Sequence, residues 1–262
     1  MNIIKKILIP LNFSAVSDSA IDYTINFVKE DDSIQSTLLH VADLDTKSEA
    51  QKLLEERLKQ LTIDFRQRSG SSGNYAVKSG PLSDAILSAR SEYASDLIIM
   101  GTKGAEEKDE TAITNTAELV LKADCPVLVI PENTKTFAIK NIALALGKNS
   151  IDDSFALGVL HDIARTFDAA IHILTISDEN SDTLVEDANQ RTLEYYFETL
   201  DYQYAFPKNT DIEQGISDYV KEKSIDMLAI LPRNHAKKSK PSEGRLTKLL
   251  TLHTEVPLLT ID

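Results

Sequence analysis

The sequence predicts an α/β protein made of two consecutive five-stranded parallel α/β sandwiches, packed together as an internal pseudo-dimer. Three observations carry that expectation. Short apolar runs alternate with helical periodicity along the whole chain. Several of those runs are apolar on both faces, as in Leu97-Ile98-Ile99-Met100 and Val127-Leu128-Val129-Ile130, which marks buried parallel strands covered by helices on both sides. The second half of the chain also repeats the first, segment by segment and in the same order.

In the first half, strands are expected near 4–11, 35–42, 74–78, 96–101 and 127–131. Between them, helices are expected near 17–30, 48–68, 82–93 and 115–123. The second of these shows its period most clearly, with Leu54, Leu58, Leu61 and Phe65 at i, i+4, i+7 and i+11. Strands follow near 140–146, 169–176, 202–206, 226–231 and 257–261, with helices near 152–166, 185–200, 211–223 and 243–253. The stretch "PENTKTFAIK" (131–140) reads as the connection, because Pro131 and Asn133 break the periodicity. The expected domains are therefore 1–135 and 136–262.

The repeat rests on four matched segments. "KKILIPLNFSAVSDSA" (5–20) aligns with "IKNIALALGKNSIDDS" (139–154) at a spacing of about 135, and "LLHVAD" (38–43) with the run through "LTISD" (174–178) at the same spacing. "ASDLIIMG" (94–101) aligns with "SIDMLAIL" (224–231), and "CPVLVIP" (125–131) with "VPLLTID" (256–262). The last strand of each half would be an exposed apolar edge, a liability unless something pairs with it. The duplication supplies the partner: the two edges can meet across an internal pseudo-twofold.

Composition narrows the function. The 262 residues include 28 Lys plus Arg against 41 Asp plus Glu, for a net charge of −13. Split after Lys135, the halves carry 15 basic against 21 acidic and 13 basic against 20 acidic residues, so no acidic tail or basic half exists. Such a surface repels nucleic acid and anionic membranes. The one cysteine, Cys125, cannot form an intramolecular disulfide, which fits a reducing cytosol. Pro10 and Asn12 end the first apolar run too soon for a signal peptide, so a cytoplasmic protein is expected.

The candidate site lies where two connections face each other at the carboxyl ends of adjacent strands. One is Pro10 to Ser14; the other runs from Gly101 to Asn115. Asn12 offers an amide to a base edge, Val41 flanks a base, and Gly101 and Gly104 let backbone N–H groups approach an anion. Thr114 and Asn115 stand at a helix start, where Asn115 with Glu118 forms a capping-box pattern. Between the glycines and that start lie Glu106, Glu107, Asp109 and Glu110 against Lys108, a field that opposes a polyphosphate.

With "ILIPLNFSAVSDSA", "LLHVAD", "GTKGA…TNTAELVLKADCPVLVIP" and the duplication, the chain resembles a tandem universal stress protein over nearly its whole length. The resemblance implies Rossmann-like domains of strand order 3-2-1-4-5, stress-response roles, pairing through the last strand, and ATP binding in some members. It also implies a motif of Gly, two residues, Gly, nine residues, Gly and then Ser or Thr, with an Asp after the first strand. Here Asn12 replaces that Asp and the third glycine is missing. Anchored on "NTAE", Ile113 takes the glycine slot and Thr114 the hydroxyl slot; counted strictly, Thr114 and Asn115 take them. In the second half Leu231 and Asn234 replace the glycine pair, and the loop instead carries basic residues from Arg233 to Arg245.

Other chemistry is not encoded in recognisable form. Gly101-Thr102-Lys103-Gly104 lacks the span and Lys-Ser/Thr pair of a phosphate-binding P-loop. The five histidines make no ligand spacing with Cys125. His40 and Cys125 read as structural, and Asp31-Asp32 and Asp152-Asp153 as charges at element ends. The expectation is a non-catalytic stress-response module that acts by binding an unknown protein partner, with no cofactor required. The alternatives are a switch that holds ATP, with Mg, in the first half, or an enzyme such as a slow ATPase. A homodimer beyond the internal pair is possible on the sequence.

Overall fold

A computed structural model describes residues 3–42, 48–104, 114–134, 136–147, 151, 157–177, 187–231 and 244–261. The first half runs β1 (Lys6–Leu11), α1 (Ala15–Val28), β2 (Gln35–Ala42), α2 (Ser48–Ser69), β3 (Gly73–Ser79), α3 (Leu82–Tyr93), β4 (Leu97–Thr102), α4 (Asn115–Lys122) and β5 (Val127–Pro131). The second runs β6 (Asn141–Ala145), α5 (Leu157–Phe167), β7 (Ala170–Leu174), α6 (Asp187–Phe197), β8 (Tyr202–Ala205), α7 (Ile212–Glu222), β9 (Met227–Ile230), α8 (Arg245–His253) and β10 (Leu258–Thr260). The expected elements are all present among the described residues, with ends shifted by a few residues; 152–156, 185–186 and 243, where three of the helices are expected to begin, lie outside the described residues. Helix α1 starts two residues before its expected position because Ser14 and Ser17 form a reciprocal capping box that the apolar pattern does not register.

All ten strands join one sheet in the order β3-β2-β1-β4-β5-β10-β9-β6-β7-β8. Read outward from the centre, the two halves have the same parallel order. They meet where β5 and β10 pair antiparallel, Leu128 opposite Leu259, with Val127 and Val129 opposite Thr260 and Leu258. The local pseudo-twofold therefore passes between Leu128 and Leu259. Each strand closes the other's apolar edge, as the unpaired-edge argument requires. The two sandwiches thus share a sheet instead of merely touching. One core layer lies under α1, α2, α5 and α6, with Ile25, Phe65, Ile163 and Phe197 among its buried side chains. The opposite layer lies under α3, α4, α7 and α8.

The repeat recurs in hydrogen bonds as well as in order. Asp96 Oδ2 accepts from the Lys5 and Lys6 N–H groups at 2.9 Å each. Its counterpart Asp226 Oδ2 accepts from Lys140 and Asn141 at 2.8 and 2.9 Å. Each carboxylate satisfies two backbone donors at the entry to the central strand of its half, where no neighbouring strand reaches them. Ala94 and Ser224 hold the same left-handed conformation after α3 and α7, at φ 51° and 50°. So low side-chain identity coexists with a duplicated backbone device.

The halves are tied together on the α1–α5 side. Phe137, from the connection, meets Tyr23 at 4.8 Å and Phe167 at 5.6 Å between ring centroids, and Phe27 meets Phe167 at 5.2 Å. The buried Asp162 of α5 accepts from the Ile3 and Ile4 N–H groups at 2.8 and 3.1 Å. The connection is therefore a packed part of the junction. Among the described residues no helix is long and apolar enough to cross a membrane.

Candidate functional site

Strand β1 lies between β2 and β4, so the carboxyl ends of β1 and β4 are adjacent and the order of strands reverses there. The structure brings Asn12, Gly101 and Gly104 to this end, with Val41 on the neighbouring β2 and Thr114 and Asn115 at the start of α4. The acidic loop residues Glu106, Glu107, Lys108, Asp109, Glu110 and Ile113 lie outside the described residues, as do Arg233 to Lys240 of the second-half basic loop.

Each rim group already has work within the fold. Asn12 is exposed, but its Oδ1 accepts from Ser14 N at 3.2 Å and Ser14 Oγ at 2.6 Å, an Asx-type turn that launches α1. Gly101 sits inside β4, and a Cβ there would stand 2.3 Å from the Val16 carbonyl oxygen. Its glycine is thus required by the close approach of α1 to the sheet. Gly104 has φ +74°, and a Cβ there would meet the Leu252 carbonyl oxygen at 2.9 Å, so this turn abuts α8 of the other half. The Gly104 N–H donates to Thr102 Oγ1 at 3.2 Å, and the buried Thr116 hydroxyl donates to the Gly101 carbonyl at 2.9 Å.

At α4 the expected capping box is corrected by one residue. The N-cap is Thr114, whose Oγ1 accepts from Ala117 N at 3.2 Å. Asn115 is the first helical residue and is exposed, and Glu118 pairs with Lys122 at 2.8 Å instead of closing a box. Both Thr and Asn cap helices well, so local preference could not choose between them. The register is set by burial of Thr116, Ala117, Leu119 and Val120 against the sheet.

Sequence reasoning missed the group beside Asn12. Phe13 adopts φ 60°, uncommon for a bulky residue. Its ring lies 5.2 Å from that of His40 and carries the Arg57 guanidinium 4.0 Å above its centroid. His40 Nδ1 meets the Leu11 carbonyl at 3.0 Å, in keeping with a structural histidine. Nothing in "LNFSA" announces a left-handed Phe, and Arg57 comes from a helix far along the chain. Cys125 is buried, as a packing residue should be. Among the described residues, no cluster of His, Cys, Asp and Glu could hold a metal ion.

The family model described as the universal stress protein family matches residues 4–131. The first half of the chain thus matches the universal stress protein family. A universal stress protein of Methanocaldococcus jannaschii is 29% identical over 152 residues, covering 51% of this chain and 86% of that one. The crystal structure of a universal stress protein from Archaeoglobus fulgidus superposes with a TM-score of 0.78 at 16% identity, covering 98% of both chains. The cytoplasmic domain of a prokaryotic cation chloride cotransporter does so with a TM-score of 0.57 at 10% identity, covering 98% of this chain and 95% of that one. Those two likenesses are of fold. The universal stress protein architecture thus extends over both halves, while the second half has Leu231 where the first has Gly101. Leu231 packs against the core there.

Proposed function

We propose that this universal stress protein is a non-catalytic, cytoplasmic stress-response module that acts by binding protein partners, and that its nucleotide sites have decayed. One observation carries the reading: the Gly104 N–H, a donor that would face a phosphate, is held by Thr102 Oγ1 within its own turn. The other rim groups agree with it. Gly101 is accounted for by Val16, Thr114 by Ala117, and the Asn12 carbonyl by Ser14. A phosphate would have to displace the hydrogen bonds among these, and the sequence joining Gly104 to Thr114 carries four acids against one base. In the second half, Leu231 supplies a side chain in place of the first glycine.

Thermal melting with and without millimolar Mg-ATP tests this. The melting temperature is expected to stay unchanged, because a ligand that does not bind the native state cannot stabilise it. A saturable rise of a few degrees would overturn the proposal in favour of an ATP-held switch in the first half. Gly104→Glu should then abolish that rise if the site is the one at Asn12, Val41, Gly101, Gly104 and Thr114.

A further inference from the structure

The sheet ends in two outer strands, β3 and β8, and they are treated differently. In β3, the Ser72 carbonyl accepts from Ser36 N, so Gly73, Tyr75 and Val77 turn their backbone groups outward. That edge is guarded. Arg66 of α2 donates from Nε to the outward Gly73 carbonyl at 2.7 Å, and the strand carries Lys78, paired with Glu92. In β8, the carbonyls of Asp201, Ala205 and Pro207 accept from Ile171, Thr175 and Ser177. The outward residues are therefore Tyr202, Tyr204 and Phe206. Among the described residues nothing bonds to their outward N–H and C=O groups. The run from Tyr202 to Pro207 has no charged side chain in a protein of net charge −13. Pro207 does not block the edge, since its backbone faces β7.

We propose that β8 is a self-association edge, and that two copies of this chain pair their β8 strands antiparallel about a twofold at Tyr204. The strand is complementary to itself in that register. A twofold perpendicular to a sheet places residues of like facing opposite each other, so Tyr204 meets Tyr204 and Tyr202 meets Phe206. These are the outward residues, and such pairs each exchange two backbone bonds, giving a ladder of about six. Their rings already form a row, with Tyr202 and Tyr204 at 5.9 Å and Tyr204 and Phe206 stacked at 6.3 Å and 5°. Pairing extends that row into aromatic cross-strand contacts. The molecule already uses the same arrangement internally, where β5 meets β10 across its pseudo-twofold.

Sedimentation or light scattering at up to about 100 μM reads the association, a range in which small edge-strand interfaces become populated. The native chain is expected to show twice its 29.0 kDa mass. Phe206→Lys changes a side chain 40% exposed, which preserves the fold, and is expected to weaken dimerisation at least ~10-fold. Tyr204→Pro, which removes an outward N–H, should do the same. Val77→Lys, the matching outward position of β3, is expected to leave the dimer intact. A native chain that stays monomeric throughout overturns the proposal. So does a dimer that survives Phe206→Lys with the melting curve unchanged, or one dissolved by Val77→Lys.

Discussion

Replacing Gly101 by alanine separates a structural glycine from a ligand-binding one. The new Cβ would lie 2.3 Å from the Val16 carbonyl oxygen, 2.7 Å from Val16 Cγ1 and 2.9 Å from the Val16 carbonyl carbon. An ordinary carbon–oxygen contact is near ~3.3 Å, so about 1 Å of extra separation is needed. Two of the three obstructing atoms are backbone, in the first turn of a helix fixed by its own capping box and by Ile21 and Ile25 in the core. No rotamer change can supply that movement. The cost therefore belongs at the upper end for overpacking, about 3 kcal/mol, equivalent to a melting temperature lower by roughly 6–12 °C for a chain of this size. Gly104→Ala meets a softer obstacle, one carbonyl oxygen at 2.9 Å plus a left-handed backbone, and should cost about 1–2 kcal/mol. Circular dichroism melts without nucleotide measure both. A Gly101→Ala protein that melts within about 1 °C of the native chain would refute the reasoning, because the glycine would then owe nothing to α1.

Two further outcomes follow from single contacts. Thr114→Ala should cost about 1 kcal/mol, whereas Asn115→Ala should change stability by a few tenths at most; equal losses in chemical denaturation would return the cap to Asn115. Acidification should weaken the second half through His172, which is buried and accepts from Gln203 Nε2 at 3.1 Å while its Nδ1 meets the Tyr219 hydroxyl at 2.9 Å. Burial first, and then the charge of Lys223, hold His172 below its ordinary value, with Asp201 opposing them. The unfolded chain therefore binds the proton more readily. Stability is fully present above about pH 6.5 and declines as the pH falls from there toward the lowered folded value. His161 shifts in the same direction through burial and Arg165. Melts of the native chain and His172→Gln from about pH 7.5 to 5.5 check this, and an identical pH dependence for the two would exclude His172 as a source.

The sequence was most informative where one physical signal dominates. Strand and helix positions followed from apolar periodicity, since only those spacings bury Leu58 and Phe65 together or place Leu97 to Ile99 inside a sheet. The repeat was visible in side chains, although its closest echo is the paired use of Asp96 and Asp226, which needed coordinates to find. The site was less legible. Gly101 and Gly104 are conspicuous in the chain, but the reasons for them lie in Val16 and Leu252, which are remote in sequence. The choice of Thr114 over Asn115 as cap was likewise made by burial on the sheet.

By itself, the sequence determined an α/β chain, its duplication and the need for two apolar edge strands to find partners. Those are consequences of local periodicity and of composition, which are written residue by residue. Tertiary structure alone decided that Leu128 stands opposite Leu259, that Phe137 anchors the connection, and that the Gly104 donor is satisfied within its turn. It also left the backbone groups of Tyr202, Tyr204 and Phe206 pointing away from the sheet while Arg66 covers the matching edge. Register, close approach and hydrogen-bond partnership depend on which distant segments meet, and that is set by the packing of the whole sheet.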